Sequence, residues 1–318
     1  MNDFAVRDAV RVAQSVSVGL FGPSGCGKTL SALRLAKGLQ SVAGGNIYVI
    51  DTEARRSLDY SDEFAFKHVD FQPPFGSDRY LEAIETCRAD GAPGPRTIII
   101  DSLSHEHESE GGMLEQFEAE LTRLGGGDKN NARAWIRPKA KRRKLVVRME
   151  QMRDVNFILT FRAADQTKPG KDDQGKNAFI HLGFMPIGGR EFVYLTKACA
   201  FLPPGSDGIP LWNPEYVGEK MMRRLPKFLA PILNDGKPLS EAHGKAIAEW
   251  ARGGKPSDLA ERVTKAVDYI KTRKTKDGVE AAYAKCAGLI AELRDAEDVE
   301  SAVRITTAKD ERLKELPV

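Results

Sequence analysis

The sequence predicts an α/β fold in which parallel strands alternate with helices around a central sheet. Short apolar runs, most of them rich in β-branched residues, recur along the chain and predict strands at residues 16–21, 46–50, 97–100, 156–161 and, as a strand or a hairpin arm, 192–202. Helical spacing of apolar residues lies between them, at residues 29–40, 80–87 and 143–153. Strands that alternate with helices form parallel βαβ units, and this order therefore predicts a mainly parallel sheet.

Breaker-rich segments divide the chain. Residues 125–131 (GGGDKNN) and 164–176 (ADQTKPGKDDQGK) predict loops, and 252–256 (RGGKP) predicts a hinge. Beyond the hinge, three amphipathic stretches with almost no glycine or proline predict a small helical domain. We therefore expect a core at residues 1–252, a linker at 253–256 and a helical domain at 257–318.

Composition excludes several classes of protein. The 318 residues are 41% apolar and 29% charged, and the formal net charge of +3 is too small to indicate a partner. The four cysteines lie far apart and form no C-x-x-C pair, which excludes structural zinc and a disulfide framework: Cys26, Cys87, Cys199 and Cys286. The first residues lack the apolar core of a signal peptide, and no uncharged apolar stretch approaches about 18 residues. We expect a cytoplasmic protein without a membrane partner.

A phosphate-binding motif follows the first predicted strand and opens the first predicted helix. The run GPSGCGKT satisfies G-x-x-x-x-G-K-[ST], with Gly22, Pro23, Ser24, Gly25, Cys26, Gly27, Lys28 and Thr29. Glycines allow the backbone N–H groups to face a phosphate, and the helix N-terminus favours the anion. Lys28 would reach the β- and γ-phosphates, and the Thr29 hydroxyl would coordinate Mg²⁺. Cys26 has no base partner in the pattern, which favours a small loop residue over a catalytic thiol.

A carboxylate ends the third predicted strand. Asp101 follows residues 97–100, and ligands of open α/β sheets bind at the carboxyl ends of the strands. Asp101 is therefore a candidate to support Mg²⁺, mostly through water. Hydrolysis also needs a group that orients the attacking water, for which Glu53 and the pair Glu106 and Glu108 are both candidates. His105 and His107 lack a third strong metal ligand, so we interpret them as polar loop residues.

These motifs resemble those of RecA-like P-loop ATPases. More narrowly, the chain resembles the phage-encoded, AAA-type nucleotide-binding ATPases that include RecA-like single-strand annealing proteins. The similarity covers about residues 14–252. The segments that carry it are GPSGCGKT, IIIDSLSHEHE, Gly111-Gly112, WIRPK at 135–139, ILTFRA and LSEAHGKAIAEW at 239–250.

The resemblance implies a RecA-like core that hydrolyses ATP with Mg²⁺. It favours Glu53, after the strand at 46–50, as the residue that orients water, with Glu106 as the alternative. Arg162 stands where RecA has an amide that senses the γ-phosphate, which implies a catalytic role for Arg162. RecA-like proteins bind ATP between protomers, so a homo-oligomer, as a filament or a ring, is implied. Arg190 and Lys197 are possible donors across such an interface.

Two segments are candidates for binding DNA. Residues 137–149 contain seven basic residues and no acidic one, and such patches attract phosphate backbones. A solvated helix face or an acidic protein partner is the alternative interpretation. The loop at 164–176 corresponds, by the resemblance, to a loop that contacts single-stranded DNA. The candidate residues are Trp135 as a stacking platform with Arg137, Lys139, Lys141, Arg142, Arg143 and Lys144, and in the loop Lys168, Lys171 and Lys176.

The sequence thus predicts an ATP-dependent, single-stranded-DNA-binding recombination or annealing protein of phage type. Its expected partners are single-stranded DNA, further copies of itself and, as a candidate, a single-stranded-DNA-binding protein. A phage helicase, helicase loader or other DNA motor is an alternative, which directional unwinding would distinguish. A nucleotide-gated assembly module without DNA binding is the second alternative.

Overall fold

The computed structural model describes residues 12–91, 95–171, 174–188, 190–213, 222–253, 259–295 and 298–316. The chain divides into two compact units, one of Gln14–Ala251 and one that includes the chain from Arg252 onward. Of the predicted linker at 253–256, residues 254–256 lie outside the described residues. The domain boundary near residue 252 stays a prediction.

Seven strands form the sheet of the larger unit within the described residues. They are β1 Ser17–Gly22, β2 Ile47–Asp51, β3 Lys67–Asp70, β4 Arg96–Asp101, β5 Val155–Lys171, β6 Asn177–Pro186 and β7 Ala198–Phe201. The strand order is β3-β2-β4-β5-β1-β7, with β6 paired to β5 outside this path. All pairs along the path are parallel, and β5 with β6 is antiparallel. The predicted α/β class with a mainly parallel central sheet is confirmed.

The helices are numbered in the order in which they occur along the chain. In the larger unit they are α1 Lys28–Ala43, α2 Ser77–Arg88, α3 His105–Glu108, α4 Met113–Arg123, α5 Asn131–Ala134, α6 Ile136–Gln151, α7 Arg190–Leu195, α8 Ala230–Leu233 and α9 Glu241–Ala251, with 3₁₀ turns at Arg56–Tyr60 and Asp128–Asn130. The C-terminal unit contains α10 Leu259–Lys271, α11 Lys276–Ala284, α12 Ala287–Asp295 and α13 Val299–Glu315. The predicted helical C-terminal region is confirmed. No helix in the described part of the chain is long and apolar enough to cross a membrane.

The central strands are apolar on both faces because both faces are covered. On β4, Ile98 and Ile100 join one core cluster, and Ile99 between them joins the other. Successive residues of a strand point to opposite faces, and a strand with helices on both sides therefore consists of consecutive apolar residues. This is the physical reason that short unbroken apolar runs predicted these strands.

Two segments differ from the prediction. Residues 192–202 do not form one strand, since Arg190–Leu195 is helical and only Ala198–Phe201 is strand. A short apolar run fits a buried helix as well as a strand. The predicted loop at 164–176 is also wrong, because β5 continues to Lys171 and pairs with β6 as a hairpin. Its residues are mostly exposed and polar, so the apolar alternation that signals a strand is missing there.

Helices α1 and α9 touch backbone to backbone at two glycines. A Cβ on Gly38 would lie 2.2 Å from the carbonyl oxygen of Glu241, and a Cβ on Gly244 would lie 2.2 Å from that of Leu35. Both distances are too short for any Cβ contact. The close approach brings α9 onto the helix that begins at the phosphate-binding motif, and glycine is required at both crossing positions.

We predict that Gly244→Ala lowers the free energy of unfolding, because α9 must move away from α1 to admit the methyl group. Overpacking of this kind costs about 1–3 kcal/mol. Denaturant unfolding followed by circular dichroism measures the change. Gly288→Ala is the matched control, since α12 has open space at that Cβ and alanine is the better helix former. Equal stability of Gly244→Ala and the wild type would contradict the proposed tight crossing.

Candidate nucleotide site

The phosphate loop joins β1 to α1, as the motif predicted. Gly25 and Gly27 have φ of +80° and +87°, a region that residues with a side chain rarely adopt. At Gly22 a Cβ would lie 2.2 Å from the carbonyl oxygen of Leu202 and 2.6 Å from the sulfur of Cys26. The loop therefore needs glycine at all three positions, for conformation at two and for space at the third.

Lys28 extends back along the loop that precedes it. Its ammonium donates hydrogen bonds to the carbonyl oxygens of Gly22 (3.0 Å) and Pro23 (2.7 Å). A terminal phosphate would provide stronger acceptors for the same group, because it carries charge. Cys26 is buried, and burial raises the pKa of its thiol. A neutral thiol in this position fits the interpretation of Cys26 as a small loop residue.

Asp101 is buried at the end of β4 and accepts hydrogen bonds from two hydroxyls. Thr29 Oγ1 lies 2.6 Å from its Oδ2, and Thr160 Oγ1 bonds its Oδ1. Burial raises the pKa of Asp101, and the nearby carboxylates of Glu53 and Asp51 add to the effect. An all-oxygen donor set with excess negative charge fits Mg²⁺, which prefers one or two carboxylates and substrate phosphates. Thr29 and Asp101 are the residues that would hold it.

Glu53 lies two residues beyond the end of β2 and is paired with Arg162. Arg162 Nε lies 2.9 Å from Glu53 Oε1, and Arg162 Nη2 lies 2.6 Å from Oε2. Asp51 fixes the turn, because its Oδ1 accepts from the Glu53 backbone N–H at 2.8 Å. Although burial acts in the opposite direction, the hydrogen bonds and charge of Arg162 hold the pKa of Glu53 below its ordinary value. The carboxylate is therefore ionised and can orient water.

Glu106, the alternative for this role, is fully buried elsewhere in the structure. Arg142 donates to it, with Nε 3.0 Å from Oε2, and Ser77 donates its hydroxyl to Oε1. Arg142 is only 4% exposed. The prediction that Arg142 contacts DNA is therefore wrong, because its guanidinium is occupied in a buried ion pair. The carboxylate of Glu106 is occupied by these two donors, and we assign Glu106 a structural role.

The other candidates on α6 have different surroundings. Trp135 stacks on Phe117, with ring centroids 4.3 Å apart, so one face of the indole is already covered. Arg137 pairs with Glu120 at 3.0 Å, and Lys141 pairs with Asp78 at 3.1 Å. The remaining candidates on this helix are exposed, namely Lys139, Arg143 and Lys144. Positive charge on this helix is therefore accessible at these three residues.

The hairpin of β5 and β6 carries the second set of candidates. Lys168, Lys171 and Lys176 are exposed. Phe179, opposite Pro169 on β6, is 77% exposed and thus an aromatic ring open to a ligand. Beyond Arg162, β5 pairs with β6 and no longer with β1, so the hairpin extends past the parallel sheet.

Sequence reasoning missed two polar residues at this edge of the sheet. Thr160 interrupts an apolar strand and binds Asp101, and Ser104 donates its hydroxyl to the Ile187 carbonyl at 2.6 Å while accepting from the Arg162 N–H. A polar residue near the carboxyl end of an otherwise apolar strand was the available signal for Thr160. Ser104 had none, because its partners lie 58 and 83 residues away in the sequence.

Comparison with known proteins gives a family match. A family model described as an AAA domain matches residues 14–184, which is more than half of the chain. No curated protein matches the chain. Among solved structures, the chain is similar to a KaiC-like protein from the hyperthermophilic archaeon Pyrococcus horikoshii OT3, with 18% identity and a TM-score of 0.31 over 60% of this chain and 73% of that one. A likeness at this level says nothing of what the chain binds.

We predict that Lys28→Ala greatly weakens ATP binding, because the variant loses charge-assisted hydrogen bonds worth about 1.5–3 kcal/mol each. Isothermal titration calorimetry with a non-hydrolysable ATP analogue and Mg²⁺ measures the affinity. Lys37→Ala removes an exposed lysine from the same helix and should bind normally. Unchanged affinity of Lys28→Ala would refute the phosphate site.

The two glutamates should respond differently to the same substitution. Glu53→Gln is expected to keep the fold and nucleotide binding but to stop phosphate release. Glu106→Gln removes the buried counter-charge of Arg142 and leaves the exposed carboxylate of Glu191, 3.9 Å away. Breaking a buried pair typically costs about 3–5 kcal/mol of stability. Steady-state phosphate release and thermal unfolding of both variants separate the two effects. Full turnover by Glu53→Gln, with loss of turnover in a stably folded Glu106→Gln, would reverse the assignment.

Proposed function

We propose that this chain binds and hydrolyses ATP with Mg²⁺ and couples ATP hydrolysis to the binding of single-stranded DNA. The chain belongs to the AAA domain family of P-loop ATPases. The observation that carries the proposal is the convergence of the phosphate loop, Asp101 and Glu53 at one edge of the sheet. Bound Mg²⁺ would neutralise phosphate charge and polarise the terminal phosphoryl group. Thr29 and Asp101 would hold it.

The protein's own residues divide the work of hydrolysis. Lys28 binds the terminal phosphates from inside the loop, and Glu53 orients the attacking water. Arg162 lies beside Glu53 at the edge where the terminal phosphate would be, and a cation there stabilises charge that develops in the transition state. The ion pair of Arg162 with Glu53 restrains both side chains.

Support for DNA binding comes from where β5 leads. Thr160 on this strand bonds Asp101. Arg162 follows two residues later, where the pairing of β5 with β1 ends, and the strand then continues as the exposed hairpin. Exposed Phe179 and the lysines at 168 and 171 combine an aromatic platform with positive charge, as in sequence-tolerant binding of single strands. We therefore assign the primary DNA contact to the hairpin and a secondary one to Arg143 and Lys144 on α6.

In this proposal the biological role is recombination or annealing of phage type, by a homo-oligomer that assembles on DNA. The basic surface is made of separate patches on a hairpin and a helix, which suits a backbone ligand more than one compact acidic partner. A single-stranded-DNA-binding protein is a further candidate partner.

We predict that Phe179→Ala weakens binding to a fluorescent oligo-dT strand, because loss of base stacking costs about 1–3 kcal/mol, roughly a 5- to 150-fold change in Kd.

Lys168→Ala/Lys171→Ala should flatten the salt dependence of binding by about one unit of slope for each phosphate that the protein no longer binds. Fluorescence anisotropy across a salt titration measures both effects.

The matched control is Lys37→Ala/Lys245→Ala, which also removes two positive charges, one from α1 and one from α9. It should bind DNA like the wild type. Loss of binding in Arg143→Ala/Lys144→Ala alone, with the hairpin variants normal, would move the primary contact to α6. Absence of measurable DNA affinity in the wild-type protein would refute the DNA proposal and favour a nucleotide-gated assembly module.

A further inference from the structure

The first histidine of the run His-Glu-His-Glu lies against the residue proposed to orient water. His105 is 7% exposed and begins α3, just after β4. Its Nε2 lies 4.0 Å from Glu53 Oε1, and its Nδ1 lies 2.6 Å from the Thr52 hydroxyl. Phe75 stacks on the ring, with centroids 5.0 Å apart. The imidazole is thus held on its face and on one nitrogen, and its other nitrogen is turned toward Glu53.

The hydrogen bonds of Thr52 decide which nitrogen of His105 carries the proton. Thr52 Oγ1 accepts from the Ser102 N–H at 2.8 Å. Its single proton can go to the Ser102 carbonyl at 3.0 Å or to His105 Nδ1 at 2.6 Å. In the first case Nδ1 must carry the ring proton, and the lone pair of Nε2 would face a carboxylate. In the second case Nε2 carries the proton and faces the carboxylate favourably, so the charge on Glu53 selects this tautomer.

The imidazole is neutral in this environment. Burial lowers the pKa of His105, and the charge of Arg162 acts in the same direction, against the opposing carboxylates of Glu53 and Asp51. A neutral ring with its proton on Nε2 is a hydrogen-bond donor toward Glu53 that adds no net charge to the Mg²⁺ side of the site.

A second donor would hold the Glu53 carboxylate while it orients water. Each oxygen of Glu53 accepts one hydrogen bond from Arg162 and has further lone pairs, so the carboxylate can also accept from water and from a second donor. Arg162 belongs to the strand that leads into the hairpin and is 42% exposed, whereas His105 is fixed by Thr52 and Phe75. A movement of about 1 Å would bring Glu53 Oε1 into hydrogen-bond range of Nε2.

We propose that His105, oriented by Thr52, is a positioning residue that holds the Glu53 carboxylate through its Nε2–H while Glu53 orients the attacking water. The inference rests on the role of Glu53 proposed above. It also separates the members of the run, because Glu106 serves the buried pair with Arg142 and His107 Nδ1 lies 3.1 Å from the same guanidinium. Only His105 among these three is directed at Glu53.

Two amide substitutions test the role of each ring nitrogen. The amide of His105→Asn takes the place of Nδ1 and can still bond Thr52, but it does not reach Glu53. The longer side chain of His105→Gln places its amide near the Nε2 position and can donate to Glu53. We expect His105→Asn to lower kcat for ATP hydrolysis about ten- to a hundredfold, the usual effect of losing a group that orients a functional residue. His105→Gln should recover most of this loss, and both variants should bind a non-hydrolysable ATP analogue like the wild type.

A double-mutant comparison identifies the residue through which His105 acts. Single-turnover hydrolysis of radiolabelled ATP is measured for Glu53→Gln and for Glu53→Gln/His105→Asn. If His105 works through Glu53, the second substitution adds no further loss. Independent, multiplying losses would overturn the proposal, as would equal rates of the wild type and a folded His105→Asn.

Different outcomes separate the role of His105 from the proposed role of Glu53. Wild-type turnover by Glu53→Gln would remove Glu53 from the reaction and His105 with it. A slow Glu53→Gln beside a fast His105→Asn would overturn the role of His105 alone. If His105→Asn and His105→Gln lose kcat, ATP affinity and thermal stability together, His105 is a packing residue and the positioning role is refuted.

Discussion

The hydrogen bonds that converge on Asp101 connect two neighbouring strands and the first helix. Thr29 on α1 and Thr160 on β5 both donate to this carboxylate at the end of β4, and β5 lies between β4 and β1 in the sheet. Parallel strands of matched register end at one edge, and this edge therefore collects the phosphate loop, the carboxylate and the polar end of β5. Burial raises the pKa of this carboxyl although two hydroxyls donate to it, and a divalent cation would favour its ionised form.

Glu53 and Glu106 show how two residues of one type can have different surroundings. Glu106 is enclosed with Arg142 and Ser77, where its charge is neutralised and water has no access. Glu53 pairs with an arginine that is partly exposed and belongs to a strand leading out of the sheet. The first arrangement stabilises the contact of α3 with α6, whereas the second can be rearranged by a ligand. Buried pairs are costly to break, and an exposed partner is cheaper to move.

Strand β5 connects the proposed chemistry with the proposed DNA contact. It bonds Asp101 through Thr160, pairs with Glu53 through Arg162 and continues as one arm of the hairpin. The base of the hairpin is fastened to the sheet, because Ile187 donates its N–H to the Arg162 carbonyl and Ser104 bridges the same two residues. Binding at the hairpin that shifts its base would therefore change the restraint on Glu53. Coupling of this kind needs no separate domain movement.

The sequence alone determined the phosphate loop, strands β1, β2 and β4, the first part of β5, the carboxylate at residue 101 and the helical nature of the C-terminal region. It did not predict β3 or β6, and it extended β7 over residues that are helical. These follow from local rules: glycine spacing in a loop, unbroken apolar runs in strands covered on both faces, and helical periodicity. Tertiary structure decided everything that depends on a partner distant in the chain. Arg142 belongs to a basic run in the sequence, but its guanidinium is buried in an ion pair with Glu106, 36 residues away. The hydrogen bond between Thr52 and His105 forms only where the end of β2 meets α3. The hairpin escaped prediction because its β5 arm beyond Arg162 is mostly polar and carries no periodic apolar signal, and only the pairing of β5 with β6 defines it.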